Sequence, residues 1–491
     1  MDVGAVDLTI LAMYLLAVLA FGFWIGAKRR TASDYQVGGR DLPSWAVLGS
    51  IVATETSTVT FLSLPGVAYF GDLRFLQIPM GYVIGRFLVA AILLPGYFRG
   101  QIVTAYEILQ HRFGAVTRRL ATGLFLLTRS LADGLRLALS ALVLQQMTGW
   151  AFASCVLVLG LVTIVYTTLG GMRAVIWTDV IQLFVYLLGA IAAFWVLLSQ
   201  LSGGLGAVFD IASAEGKLRV FDFGWDLTNP MAFWAGLVGG AFMAFATHGV
   251  DQLLVQRYLC ARNERAARRA LQASGFVVLG QFALFLLLGS ALYAYYLQFP
   301  PAVAFSSTAK DAVFATFIVS ELPVGVLGLV LGAVFAAAMS TLSSSLNSSA
   351  TAAVHDWVVP LRGNDASDAQ VLRWTRLGTL VFGAIQIAIG IIGAQLTTSV
   401  IGSVLAIASF VTGIVLGVYF LGLWAPAAQQ KDALLGLCVG LTTLSLLYAF
   451  TELAWPWYAF VGSTLTFGSG WVSSKLRVGV VSPPEGALVE P

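Results

Sequence analysis

Ala53-Thr54-Glu55-Thr56-Ser57-Thr58 interrupts an apolar stretch running from about residue 43 to 70, and Thr60, Ser63 and Pro65-Gly66 follow it. A row of hydroxyl-bearing, β-branched residues, a carboxylate in mid-span and a helix breaker together predict a helix that unwinds near the middle of a bilayer. Unwinding frees backbone carbonyls, which are hard oxygen ligands suited to an alkali cation. Read as a bland element, the same string is a span whose hydroxyls bond back to their own carbonyls beside a proline kink. A second interruption of the same kind, Ala246-Thr247-His248-Gly249-Val250-Asp251-Gln252, lies at a comparable depth in a later apolar run. Paired discontinuities at matching positions point to two inverted structural repeats facing each other across a solute site.

Composition supports a membrane setting. Of 491 residues, 58% are apolar and only 10% charged, against roughly 25% charged in soluble domains. Mean hydropathy is +0.87. The apolar runs are continuous rather than alternating, so they read as helices and not as a barrel. We place thirteen spans, at 6–27, 43–70, 75–98, 118–147, 150–169, 175–199, 230–256, 270–297, 312–355, 375–395, 399–424, 432–451 and 455–474. The run 312–355 is too long for one span and is expected to contain a short outer helix, a break at Pro323 and a membrane helix. Spans two to six and seven to eleven form the two repeats, about 43–199 and 230–424, within one transporter domain, 1–477, followed by a short cytoplasmic tail, 478–491. With the amino end outside and the carboxyl end cytoplasmic, 20 of the 27 Lys and Arg residues fall on the inner side, as the positive-inside rule requires. Lys28-Arg29-Arg30 and Arg257 are among them.

Three scattered cysteines and a net charge of +3 exclude a disulfide framework, a zinc site and nucleic-acid binding. No catalytic triad, metal motif or phosphate loop is visible, so the chain reads as no enzyme. A third polar string, Ser340-Thr341-Leu342-Ser343-Ser344-Ser345-Leu346-Asn347-Ser348-Ser349, lines one helical face with Ser340, Thr341, Ser344, Asn347 and Ser348. Small residues also suit a packing seam, but so dense a run exceeds what packing needs. Asp133 and Arg136 are spaced as a self-neutralising helical pair.

At these places the chain resembles the sodium:solute symporter family, over roughly residues 5–475. The strings that carry the resemblance are GGRDLPSWAVLGSIVATETST (38–58), LPGVAY (64–69), YTTLGGMRAVIWTDVIQ (166–182), VQRYLCARN (255–263) and AAAMSTLSSSLNSSATA (336–352). The resemblance implies a LeuT-type five-plus-five inverted-repeat core with one extra span before it and two after, and sodium as coupling ion. It implies a sodium site at Ala53, Thr56, Ala337, Ser340 and Thr341, and a second sodium, found in some members, at Asp179 with Ser340, Ser343 and Ser344. Glu55 stands where sodium/proline symporters carry an aspartate. Solute contacts are implied at Glu55, Ser57, Thr60, Gln77, Arg136, His248 and Asp251. The expected function is sodium-coupled symport of a small polar organic solute, an amino acid, organic acid, vitamin-like solute or sugar, by alternating access. Its partners would be that solute and the lipid bilayer of the cell membrane, with no nucleic acid and no obligate protein partner. The rival reading is a membrane-embedded solute sensor that has kept a transporter fold.

Overall fold

The computed structural model describes residues 3–26, 31–100, 102–307, 309–363, 366–393 and 400–478. Lys28-Arg29-Arg30 and the tail beyond residue 478 lie outside them. The principal helices are α1 (Ala5–Gly26), α2 (Ser44–Glu55), α3 (Thr58–Phe70), α4 (Gln77–Ile92), α5 (Ala115–Thr148), α6 (Phe152–Gln200), α7 (Gly240–Val250) and α8 (Gln252–Leu259). They continue with α9 (Glu264–Gln298), α10 (Asp311–Glu321), α11 (Val326–Ala353), α12 (Asp368–Gly393), α13 (Val400–Trp424), α14 (Gln430–Phe450) and α15 (Trp457–Val478). Among the described residues there is no strand, only an isolated bridge between Leu42 and Ala261. Among the described residues seven helices are long and apolar enough to cross a membrane, or eight if the bent pair α2 and α3 is one span.

Two expectations change in detail. The first break falls at Thr56-Ser57, where α2 and α3 diverge by 58°, and Pro65 sits inside α3 without ending it. A proline inside a helix removes one backbone hydrogen bond, that to the carbonyl four residues earlier, here Phe61. Close packing surrounds this stretch: a Cβ on Gly289 of α9 would meet the Pro65 carbonyl oxygen at 2.0 Å. The spans expected at 150–169 and 175–199 form one element of 49 residues, folded at Gly171 (φ 60°, ψ −167°). At about 1.5 Å per residue it is more than twice a ~30 Å hydrocarbon core, long enough for the two spans expected there. The run 312–355 divides as expected into α10, a turn through Pro323, and α11.

α11 is the central element. It packs along α6, α5 and α12, and every residue from Met339 to Ala352 is buried. Its amino end is capped from another helix: Asp7 of α1, buried, accepts from the backbone N–H of Gly325 (2.7 Å) and Gly328 (2.8 Å). Such a cap offsets orphan N–H groups and the positive end of the helix dipole. Asp7→Ala is expected to cost about 1–2 kcal/mol and to lower the melting temperature of the purified protein. Asp7→Asn, which keeps the acceptor oxygen, should recover most of that loss.

The segment after α6 straps the end of α3. Lys217 Nζ donates to the carbonyls of Tyr69 (2.6 Å) and Gly71 (3.1 Å). Arg74 bridges Asp72 and Asp222 at 2.8 and 2.7 Å, which holds the Asp222 carboxyl below the usual carboxylate range.

Candidate functional site

Hydroxyls crowd the end of the first broken helix. Thr54 Oγ1 donates to the Ser50 carbonyl (2.8 Å) and Thr56 Oγ1 to the Val52 carbonyl (3.0 Å), which also accepts from the Thr56 N–H (3.1 Å), so side chains share acceptors with the helical ladder. Thr56 and Ser57 then run extended, with ψ of 92° and 171°. α11 lies against the end of α2. Ser340 Oγ donates to the Ala53 carbonyl at 3.0 Å and the Ala337 carbonyl at 3.2 Å. Thr341 Oγ1 reaches the Thr54 carbonyl at 3.2 Å and the Ala337 carbonyl at 3.5 Å.

Of the five residues expected to hold the ion, Ala53, Ala337, Ser340 and Thr341 therefore meet in one buried cluster of hard oxygens. Thr56 stands apart by its side chain, whose oxygen accepts from Gln281 Nε2 of α9 at 2.7 Å and leaves only its carbonyl for an ion. The Thr54 carbonyl, not among the expected ligands, faces the cluster instead.

The second break is a single residue. Asp251, extended at φ −80°, ψ 119°, separates α7 from α8 and caps α8 by accepting from Leu253 N at 2.9 Å. Its other oxygen is taken by Arg129. Between the two breaks lies a cavity of about 150 Å³. Glu55, Ser57, Thr60, Arg136 and His248, all expected at a solute site, line it. Phe75, Tyr82, Met243 and Phe282 supply an apolar wall.

Gln77 and Asp251 do not line this cavity. Gln77 is buried and spends its amide on the carbonyls of Arg74 (3.0 Å) and Met231 (2.8 Å) and on the Asp222 N–H (3.1 Å). Asp251 is occupied as cap and ion-pair partner.

Glu55 is held by two neighbours the sequence did not single out for it. Arg86 of α4, fully buried, pairs with one carboxylate oxygen, and His248 Nε2 lies 3.2 Å from the other. Arg86 also donates to Ser274 (3.1 Å) and approaches His248 Nε2 at 3.3 Å, while His248 Nδ1 is 2.6 Å from the Tyr258 hydroxyl. The Nε2 atom either donates to Glu55 or accepts from Arg86, since one nitrogen cannot do both. Glu55, at the first break, and His248, at the end of α7, are thereby tied to each other and to α4. Arg136 pairs with Asp133 at 2.6 Å, and Arg129 lies 3.7 Å from the other oxygen of Asp133.

The positions implied for a second ion are also close together, but a cation is already among them. Asp179 Oδ2 accepts from Ser50 (2.5 Å) and from Arg257 of α8 (3.3 Å). Arg257 also bonds Ser50 (2.9 Å) and Ser344. It was counted with the inner loops, yet it is fully buried. Its position just after an apolar run resembles that of any flanking basic residue, so the sequence carried no signal of this pairing. Ser343 and Ser344 both donate to the Ser340 carbonyl, at 3.2 and 2.7 Å. Asp179 Oδ1 is buried and has no hydrogen-bond partner among the described residues.

Two broken helices flanking a cavity, with a hydroxyl-bearing helix against the first break, define an ion-coupled secondary transporter of LeuT-type fold. The chain belongs to the sodium:solute symporter family, whose model matches residues 35–440. The human sodium/iodide cotransporter is 31% identical over 468 residues, 92% of this chain and 71% of that protein. The sodium-dependent multivitamin transporter of the rabbit (Oryctolagus cuniculus) is 31% identical over 489 residues, 98% of this chain and 73% of that protein. Among solved structures, a substrate-bound, outward-open Na+-coupled sialic acid symporter superposes with a TM-score of 0.89 at 28% identity, covering 97% of this chain and 98% of its own. The protein is thus a multi-pass membrane protein carrying out sodium-coupled symport. Its relatives are transporters, and nothing among them favours the sensor reading.

Proposed function

We propose that the solute is a small organic anion, a carboxylate with an apolar body, bound in the cavity between the breaks by Arg136, His248, Ser57 and Thr60. The observation that carries this reading is Arg136. It lines the cavity, its side chain is 20% exposed, and its Nε is buried with no partner among the described residues. A guanidinium with a free edge suits a carboxylate. Phe75, Tyr82 and Phe282 opposite would take the apolar part. Iodide and sialic acid, which two of the similar proteins carry by name, are also acids or anions.

Sodium would lodge among the Ala53 and Ala337 carbonyls, Ser340 and Thr341, with the carbonyls of Thr54 and Thr56 in reach. Residues 53–57 then separate ion from solute, and each charge stabilises the other. Two opposite charges ~6 Å apart at an effective dielectric constant near 20 attract by about 3 kcal/mol, a linkage of roughly a hundredfold in affinity. A second sodium at Asp179, Ser343 and Ser344 belongs to the same reading. The unpartnered Asp179 Oδ1 supports it, with Arg257 keeping the other oxygen. The chain would cross the cell membrane thirteen times, amino end outside and carboxyl end cytoplasmic, with the repeats at about 43–199 and 230–424.

A thermal-shift screen tests the solute. Small carboxylates should stabilise the purified protein in sodium and not in potassium, and Arg136→Gln should weaken that response about a hundredfold in concentration. A sodium-dependent shift with neutral sugars, and none with carboxylates, would overturn the assignment.

A further inference from the structure

α9 extends six residues further toward its amino end than its apolar run, and the added turns carry Arg265, Arg268 and Arg269, with Arg262 just before them. Asn263 caps this end, accepting from Ala266 N at 2.8 Å. Arg268 pairs with Glu264 at 2.6 Å. Arg262, Arg265 and Arg269 are exposed, and no carboxylate among the described residues lies within ion-pair distance of them. Three arginines elsewhere on that side do have carboxylate partners within the chain: Arg118 with Asp356, Arg173 with Asp41, Arg477 with Asp432.

Spacing places Arg265, Arg269, Phe276 and Gly280 on one stripe of the helix. Phe276 is 57% exposed, and its ring meets that of Phe87 on α4, itself 42% exposed, with centroids 6.2 Å apart. Space opens again at Gly280, where a Cβ would touch nothing within 4 Å. From Arg269 to Phe276 is about 10 Å along the axis, the step from a headgroup to the upper part of its acyl chains.

We propose that this stripe binds an anionic phospholipid of the inner leaflet, its phosphate held by Arg265 and Arg269 and its chains lying along Phe87, Phe276 and Gly280. The leaflet follows from the orientation proposed above; the charge pattern does not depend on it. A zwitterionic lipid brings its own cation and leaves the unpaired guanidinium groups uncompensated, so the site discriminates by headgroup charge. Basic groups at such a surface each strengthen binding of an anionic lipid roughly fivefold.

Native mass spectrometry of the purified full chain, in detergent containing equal amounts of phosphatidylglycerol and phosphatidylcholine, tests this directly. The wild type should retain phosphatidylglycerol in preference by roughly twenty-five-fold. Changing Arg265 and Arg269 together to Gln should erase the preference, and changing both to Lys should keep it. If the Gln variant fails to fold, Arg269→Gln alone should weaken the preference roughly fivefold. Equal retention of both lipids by the wild type, or a preference that survives the Gln changes, would overturn the proposal.

Discussion

Ser340→Ala with Thr341→Ala is expected to abolish sodium-dependent uptake into proteoliposomes at ordinary sodium concentrations. Each hydroxyl supplies one oxygen to the cluster facing the Ala53 and Thr54 carbonyls. A polar contact to a charged group contributes about 1.5–3 kcal/mol, so losing two raises the sodium needed for half-activation by roughly 10² to 10⁴. The same hydroxyls donate to backbone carbonyls, and their loss also lowers the melting temperature. Thr341→Ser separates the two effects, because it keeps the oxygen and should keep near-normal sodium activation. A double alanine variant with wild-type sodium dependence would remove the ion from this place.

Arg257→Leu should destabilise the purified protein by about 3–5 kcal/mol. The change leaves the Asp179 carboxylate fully buried with no cation beside it, and an isolated buried charge is far costlier than a buried pair. Adding Asp179→Asn removes that charge, so the double variant should recover a large part of the loss. Denaturation monitored in a fixed detergent measures both variants. A single variant within about 1 kcal/mol of wild type would show that the pair is not closed as described.

What the sequence revealed and what it hid have distinct physical causes. Both breaks were legible, because a run of hydroxyl side chains beside a carboxylate, or a Gly-Val-Asp string inside an apolar run, departs from its surroundings locally. The serine-rich face of α11 was legible for the same reason, since periodicity places Ser340, Thr341 and Ser344 together within one helix. Long-range pairings were not. Arg86 on Glu55, Gln281 on Thr56 and Arg257 on Asp179 join residues 31 to 225 positions apart, and no local pattern announces them. Gln77 was a solute contact only by the family resemblance, with no local chemistry of its own to support it. The fold instead satisfies it with three backbone groups. Pro65 seemed to belong to the break and does not: it lies inside α3, eight residues beyond Ser57, and costs that helix one backbone hydrogen bond without ending it.

Arg86, Glu55 and His248 also suggest how the two breaks move together. They join α2, α4 and the end of α7 at the cavity wall, so a solute that reaches His248 acts on the helix whose carbonyls face Ser340 and Thr341. Binding of ion and solute then favours one arrangement of the same segment, and the population shifts toward it.

The measurement that bears most directly on this arrangement is the affinity of the solute at low and at high sodium, paired with the affinity of sodium with and without the solute. The account predicts that sodium, and not potassium, tightens solute binding at least tenfold, and that solute tightens sodium binding by the same factor. Solute affinity unchanged between sodium and potassium would contradict it.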